Sequence, residues 1–540
     1  MDKGAKLLIS HIWQKSHIYL PIDPDCDGYT SAALFINYLS MQFPAFAQNN
    51  IHYIMHEGKH HGLLQDDIQA AIDMNCKLVV MIDSSSNDYD LHKQLRAAGI
   101  DVLVLDHHNA PLVSPDACVI NNHLCDYPDK SLSGVGIVYK FCSYLDTLIE
   151  EEDYANELLD LVAIGCCADM MDLRDFEFRH LFTLGVNNVQ NPYLKGMAKK
   201  NSFSIEKKGG LNPFTVAFYI APYINATIRV GTQDEKLILF EAMLDFRGYE
   251  LIPSTKRGCK GQKELRVEQA CRNSTNIKNR QTKARDTSLD TIKSVIESEN
   301  LLETQKILVI CIPKGLDVDK NLTGLIANEL ANKYYQRPIL LLHEVTKENG
   351  ERGWEGSARN PAHSVIPNLM EFLRTTDCCY LLAGHDNAHG VGILDKDIPK
   401  LLDIMNKRLK DFDFQPCYKV DFIYQNNDCK ASDILALAEL KGYWGKELEE
   451  PYIAIESISV NKDNTILMSK GTLKITLDNG INLIRFGSSE EEYNALVNSD
   501  LGCVKINVVG KCDRNEWNEK VTAQVHIESY EIVSQKRYYF

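Results

Sequence analysis

The sequence predicts an α/β protein of several domains: a parallel sheet covered by helices, a strongly basic stretch, a smaller α/β unit and a C-terminal β-barrel. Three observations carry this. The apolar runs Ile18–Ile22, Lys77–Ile82 and Val102–Leu105 have the continuous character of strands buried on both faces, and they alternate with helix-like segments. The same alternation restarts at Lys306, beyond a stretch rich in lysine and arginine. From about Tyr418 short strands follow one another, with Asp478-Asn479-Gly480 as a hairpin turn. At 540 residues the chain exceeds one ordinary core, and about three domains is the natural expectation.

Composition is globular, with 44% hydrophobic and 24% charged residues. The sixteen cysteines include the adjacent pairs Cys166-Cys167 and Cys378-Cys379 but no C-x-x-C pair, which suits small buried hydrophobes in a reducing compartment better than a disulfide framework or a zinc site. His11, Gln14, Lys15 and His17 interrupt the first apolar patch before a signal-peptide core forms, and no run approaches a membrane span. A soluble, cytoplasmic protein without membrane contact is expected. The net charge of −16 opposes a polyanionic partner, yet the segment from Ser254 to Arg285 sets ten lysines and arginines against Glu264 and Glu268. Such a block fits a phosphate-binding surface and a solvated helix face or linker equally well.

In chain order, Ile18–Ile22 leads into Asp23-Pro24-Asp25-Cys26-Asp27-Gly28. Alternate residues of an extended segment point the same way, so the three carboxylates converge on one point if the strand persists, and hard oxygen ligands suit magnesium or manganese. Read alone, the stretch serves as well as a polar turn capping a helix that begins near Thr30. A helix over Ser31–Leu39, a strand over Ile51–Met55 and a helix over Leu63–Met74 follow. The strand Lys77–Ile82 ends in Asp83. After a helix over Leu91–Ala98, the strand Val102–Leu105 ends in Asp106-His107-His108-Asn109. An apolar helical run, Leu158–Ile164, then reaches Gly165-Cys166-Cys167-Ala168-Asp169. Asp83 alone reads as an N-cap and the histidines as structural residues. Together, four clusters at strand or helix ends supply enough oxygen and nitrogen donors for two metal ions at the edge where open α/β sheets bind ligands.

These four clusters resemble, in order and spacing, the motifs of the DHH phosphoesterase superfamily. Asp126–Gly136 and Ile220–Gly231 resemble the segments of its RecJ-type single-strand DNA exonucleases, with Thr227 and Ile228 where small residues are usual. Gly356-Ser357-Ala358-Arg359-Asn360, read as a small-residue turn, and Gly384–Gly390 resemble the DHHA1 substrate domain, with Ala383 replacing a family glycine. Asn515-Glu516-Trp517-Asn518 resembles the end of the RecJ-type OB domain. The resemblance implies a DHH catalytic domain over 1–250, a basic linker over 251–305 with helix starting after Gly261, a DHHA1 domain over 306–415 and an OB-like nucleic-acid-binding domain over 416–540.

By the same resemblance the metal ligands are Asp23, Asp25, Asp27, Asp83, His107 and Asp169, holding two Mn2+ (or Mg2+) ions, with Asp23 completing the shell where Pro21 stands in place of a superfamily histidine. Asp25, Asp27, Asp83, Asp106, His107, His108 and Asp169 form the catalytic set, with Asp106 orienting the imidazoles. His108, Arg229, Arg280, Ser357, Arg359, His385, Asn387 and His389 contact substrate. The implied activity is 5′-to-3′ digestion of single-stranded DNA to mononucleotides in recombination and repair, by a monomer to which a single-strand-binding protein or a helicase delivers DNA. A phosphodiesterase for short RNA or cyclic dinucleotides, and a non-catalytic single-strand-binding scaffold, are the alternatives.

Overall fold

The computed structural model describes all residues except 57–59, 150–152, 348, 415–416, 426–427, 498–502, 519 and 537–540. The chain divides into two compact units, Met1–Lys278 with Leu437–Glu450, and Asn279–Ala436 with Pro451–Phe540.

The first unit is built on a parallel sheet of β1 (His17–Ile22), β2 (Ile51–Met55), β3 (Cys76–Ile82), β4 (Asp101–Asp106) and β5 (Cys118–Asn121), in the order β2-β1-β3-β4-β5. All four pairings are parallel, so the strands' carboxyl ends share one edge. The apolar runs make these strands because both faces are covered: Leu78, Val80 and Ile82 enter one core with the helix Cys26–Gln42, while Val79 and Met81 enter another with Ile68 and Leu95. The helix starts at Cys26, several residues before the expected Ser31. Asp25 is its N-cap, accepting a hydrogen bond from the Gly28 amide at 2.9 Å, so Asp27 and Gly28 lie in the first helical turn. Later helices include Gly134–Ile149, Leu159–Ala168, Pro213–Tyr219 and Ala221–Val230.

The short strands β6 (Leu251–Pro253) and β7 (Lys263–Leu265) precede the 33-residue helix Arg266–Ser298, which runs from the first unit into the second. Several residues of the basic block have local partners. Arg266 pairs with Glu241 and Glu250, and Arg272 and Lys256 with Glu264. The basic block is thereby partly neutralised, by Glu264 within it and by Glu241 and Glu250 outside it.

The second unit holds two sheets. One comprises β8 (Leu308–Ile312), β9 (Ile339–Thr346), β10 (Arg352–Arg359), β11 (Cys379–His385) and β12 (Ala388–Leu394), in the order β11-β12-β10-β9-β8. Ser357 and Arg359, expected on a turn, lie inside β10 and are paired on both sides, to β9 and β12. The glycine beside them is needed for close strand approach, because a Cβ on Gly356 would overlap the Leu341 carbonyl. His385 and His389 flank the β11–β12 hairpin. The other sheet joins β13 (Phe422–Gln425), β14 (Tyr452–Val460), β15 (Thr465–Met468), β16 (Thr472–Thr476), β17 (Asn482–Phe486), β18 (Cys503–Trp517) and β19 (Lys520–Lys536). Asp478-Asn479-Gly480 turns β16 into β17 with Gly480 at φ +83°, and bulges at Lys505/Ile506 and Val509/Gly510 bend the long β18–β19 ribbon. The expected domain junction at 415/416 lies outside the described residues. Cysteines among the described residues are free thiols, and no described helix is long and apolar enough to cross a membrane.

Candidate metal centre

The carboxyl edge of the first sheet gathers the four acidic and imidazole clusters. Asp23 and Asp25 follow β1, and Asp27 sits in the first turn of Cys26–Gln42. Their convergence thus comes from a strand-to-helix turn rather than from an extended strand: Asp25 caps the helix, and Asp27 rotates into the site with the first turn. Asp83, immediately after β3, adopts φ +63°, a left-handed backbone that asparagine and aspartate enter more readily than most other non-glycine residues. Asp106 ends β4, and Asp169 is the C-cap of Leu159–Ala168.

Three groups bring potential ligand atoms within 4.8 Å of one another: Asp27, His107 and Asp169; Asp83, His107 and His108; and Asp23, Asp25 and His61. His107 Nε2 lies 3.3 Å from Asp83 Oδ1 and 3.5 Å from Asp169 Oδ2. Every residue assigned as a metal ligand from sequence falls in at least one group. Asp106 instead organises the imidazoles. Its Oδ1 accepts from the His107 and His108 amides at 2.7 and 3.1 Å and lies 2.8 Å from His108 Nδ1, and its Oδ2 accepts from the Ser86 amide at 3.0 Å.

The packing around the carboxylates leaves no room for larger side chains. A Cβ on Gly165 would stand 2.7 Å from Asp27 Oδ1, and one on Gly134 would overlap the Asp83 carboxylate. Ser133 Oγ and the Val135 amide donate to Asp27 Oδ1 at 2.9 and 3.2 Å, and Asn225 Oδ1 accepts from the Cys26 amide at 3.1 Å. Gly134→Ala is therefore expected to displace Asp83 and slow metal-dependent turnover about a hundredfold, the scale of an ångström's misplacement. Steady-state kinetics checks it, and wild-type turnover would show that the Asp83 position is not critical.

Asp23, Asp27 and Asp83 are buried, yet Asp23 Oδ1, Asp27 Oδ2 and Asp83 Oδ1 have no hydrogen-bond partner. Burial and the neighbouring Asp25 push Asp27 up to about 7; burial and the charges of Asp27 and Asp25 push Asp169 up to about 8. Burial, with Asp27 and Asp25, raises Asp83 well above the carboxylate range. Clustered anions with orphaned oxygens are unfavourable unless a cation offsets them. The donor set, the five carboxylates and three imidazoles of these groups, suits Mn2+ or Mg2+. Burial and His108 hold His107 down at about 4, so its imidazole is neutral at physiological pH, whereas the Asp106 hydrogen bond lifts His108 to about 9 and keeps it cationic.

The residues expected to contact substrate fall in both units. In the first, His108 flanks the cluster, and Arg229 is exposed in the last turn of Ala221–Val230 within the field of Asp25. In the second, Arg280 lies on the long helix, and Ser357, Arg359, His385, Asn387 and His389 on the β10–β12 region. Asn387 holds its hairpin: Oδ1 accepts from Asn360 Nδ2 and the Leu369 amide, and Nδ2 donates to the Pro367 carbonyl. His389 is buried with Nδ1 3.1 Å from the His385 carbonyl. Sequence reasoning assigned no role to His61, Ser133 and Asn225. His61 comes after β2, a strand ending at the same edge, but unlike Asp23, Asp83 and His107 it does not stand next to the strand end.

The model of the DHH family, N-terminal domain, matches residues 16–166, and that of the RecJ OB domain residues 420–529. A protein named as an SPbeta prophage-derived single-strand DNA-specific exonuclease, YorK, from Bacillus subtilis (strain 168) is 35% identical over 99% of this chain and 91% of its own. The chain belongs to the RecJ-type branch of the DHH family. Another RecJ-type relative, the single-stranded-DNA-specific exonuclease RecJ of the same organism, is 26% identical over 98% of this chain and 63% of its own. The crystal structure of RecJ in complex with Mn2+ from Thermus thermophilus has the same fold, with a TM-score of 0.71 and 18% identity, covering 99% of this chain and 72% of that one.

Proposed function

We propose that this RecJ-type protein is a two-metal phosphodiester hydrolase that digests single-stranded DNA from the 5′ end to mononucleotides, in DNA recombination and repair. The observation that carries the chemistry is the set of buried, unpartnered carboxylate oxygens on Asp23, Asp27 and Asp83, beside two imidazoles of opposite protonation. The substrate class comes from the relatives' names.

Asp23, Asp25, Asp27, Asp83, His107 and Asp169 would hold two Mn2+ or Mg2+ ions. Bound there, the ions supply a water of lowered pKa and a clamp on the scissile phosphate. His108, cationic and fixed by Asp106, sets a positive charge against the phosphate oxygens and stabilises charge developing on the leaving group. Arg229, Arg280, Ser357, Arg359, His385 and His389 supply phosphate contacts. Asn387 shapes their hairpin. The single-strand preference is supported by an apolar recess of about 320 Å3 beside the Asp169 motif, lined by Met170, Phe214 and Phe218. The two phenyl rings stack 4.5 Å apart and Phe218 is exposed, a surface on which unpaired bases can lie. The region 306–415 is read as the DHHA1 domain. A monomer in the cytoplasm, supplied with DNA by a single-strand-binding protein or a helicase, completes the reading.

The test is end-labelled single-stranded DNA, duplex DNA, short RNA and a cyclic dinucleotide, each with Mn2+, Mg2+ or a chelator. Loss of the single strand from its 5′ end, abolished by chelator, is expected; preferential cleavage of the small substrates would sink the proposal. A pH profile tests His108. Asp106→Asn removes the carboxylate that keeps His108 charged, letting its titration fall toward the ordinary value near 6.5. The variant's kcat should decline above about pH 7 while wild-type kcat holds to about pH 8. Parallel profiles would exclude a cationic His108 from the reaction.

A further inference from the structure

The segment after β2 returns to the carboxyl edge of the first sheet as His60-His61-Gly62-Leu63, and its position there is fixed by a small network. Gly62 adopts φ +79°, and a Cβ on it would stand 2.7 Å from Asp88 Oδ2. That oxygen accepts from the Leu63 amide at 2.9 Å and from Ser85 Oγ at 2.7 Å, while the Leu63 side chain is buried. Only glycine fits both the backbone and the space, so the turn delivers His61 to one place.

There, His61 Nδ1 lies 2.8 Å from Asp23 Oδ2. Asp23 is 4% exposed, and its other oxygen is buried with no hydrogen-bond partner. His61, Asp23 and Asp25 together bring three ligand atoms within 4.8 Å of one another, separately from the group of Asp27, His107 and Asp169. His61 is exposed, which leaves that side open to solvent and substrate.

We propose that His61 is a direct ligand of the ion held by Asp23 and Asp25, so that each ion of the pair has its own imidazole, His61 on one and His107 on the other. The assignment rests on the two-metal reading above and adds a ligand to it. An imidazole nitrogen at 2.8 Å from a carboxylate oxygen needs a shared proton or a shared cation between them, and the adjoining unpartnered Asp23 Oδ1 and the nearby Asp25 make the cation the better match. The physical consequence is metal choice. A nitrogen donor discriminates in favour of Mn2+ over Mg2+, which prefers an all-oxygen shell.

The probe is Mn2+ itself, without nucleic acid. Free-ion electron paramagnetic resonance counts bound Mn2+, and pulsed measurements detect 14N coupling from a directly bound imidazole, which a residue that only orients a ligand does not give. Wild type should bind two ions, and His61→Gln should weaken one of them ten- to a hundredfold, with a smaller loss for Mg2+. With the other imidazole removed, His107→Asn should retain one ion with 14N coupling, and the double variant His61→Gln/His107→Asn should lose that coupling. Coupling that survives in the double variant, bound Mn2+ in His107→Asn without it, or wild-type affinity for both ions in His61→Gln would overturn the assignment. If His107→Asn holds no ion, the His61→Gln titration decides alone. The nuclease assay of the wild type is a separate readout, so the exonuclease reading and the ligand assignment can fail independently.

Discussion

Asp83→Asn should reduce Mn2+-dependent hydrolysis of single-stranded DNA by at least about a thousandfold while leaving the fold intact. The substitution suits this position because asparagine keeps the size of the side chain and tolerates the φ of +63° that a larger or branched residue would strain. Its effect is then chemical. Asp83 is buried, lies 3.3 Å from His107 Nε2 and sits among Asp27, Asp25, Asp23 and Asp169, each of which raises its proton affinity. A carboxylate in that place is costly to the folded state without a cation, so the metal-free variant should be at least as stable as metal-free wild type. Added Mn2+ should raise the melting temperature of wild type and do so much less for the variant. A thousandfold loss corresponds to about 4 kcal/mol of lost transition-state stabilisation. Near-normal turnover of Asp83→Asn with Mn2+ would remove Asp83 from the metal centre. Lost turnover with an unchanged Mn2+-induced shift would confine its role to a step after ion binding.

The cluster was legible from sequence because most of its groups stand at or just beyond the ends of strands of an open parallel sheet, or at the end of a helix packed on it. Asp83 and Asp106 end apolar strands, and strands of one parallel sheet deliver their last residues to one edge. Less legible was how Asp27 reaches the others. Alternation along an extended segment suggested convergence for the wrong local reason, since Asp25 caps a helix that already includes Asp27. An N-cap and a metal ligand draw on the same residue types, so local pattern cannot separate the two roles. Ser357 and Arg359 are a parallel case. Small and polar residues read as a turn, but Gly356 is there to let β9 approach β10, a requirement that exists only once the sheet has formed. His61 was missed because Gly58 and the histidines around it interrupt any periodic pattern, and its position depends on Asp88, which lies far along the chain beyond β3. The basic block from Ser254 to Arg285 was visible, but its partners Glu241 and Glu250 were not, being close only in the fold.

Metal-free protein should lose stability as pH rises from about 6.5 to 9, and Mn2+ should remove most of that loss. The sign follows from proton binding. Asp27 and Asp169 titrate near 7 and 8 in the folded chain, above ordinary carboxyls near 4, so the folded state holds protons that the unfolded state has released. Their contribution is fully present below the unfolded pKa and is lost as pH rises through the folded one. His108, raised to about 9, acts in the same direction above pH 6.5, although its exposure weakens its effect. His107, lowered to about 4, acts oppositely, but only below about 6.5, where the unfolded imidazole takes up a proton that the folded one refuses. Asp106, held down by His108 despite its burial, is ionised in both states throughout this window. Above pH 6.5 Asp27, Asp169 and His108 therefore all favour unfolding as pH rises, and the two carboxyls together account for no more than roughly 3 kcal/mol. Urea unfolding of chelator-treated protein at pH 6.5, 7.5 and 9, repeated with Mn2+ and with Asp27→Asn/Asp169→Asn, measures the effect. The double variant should be flatter with pH than wild type because its amides do not titrate. Equal slopes in variant and wild type would mean that these two carboxyls are not the proton-holding pair, and with it the electrostatic case for a cation at this edge would fall.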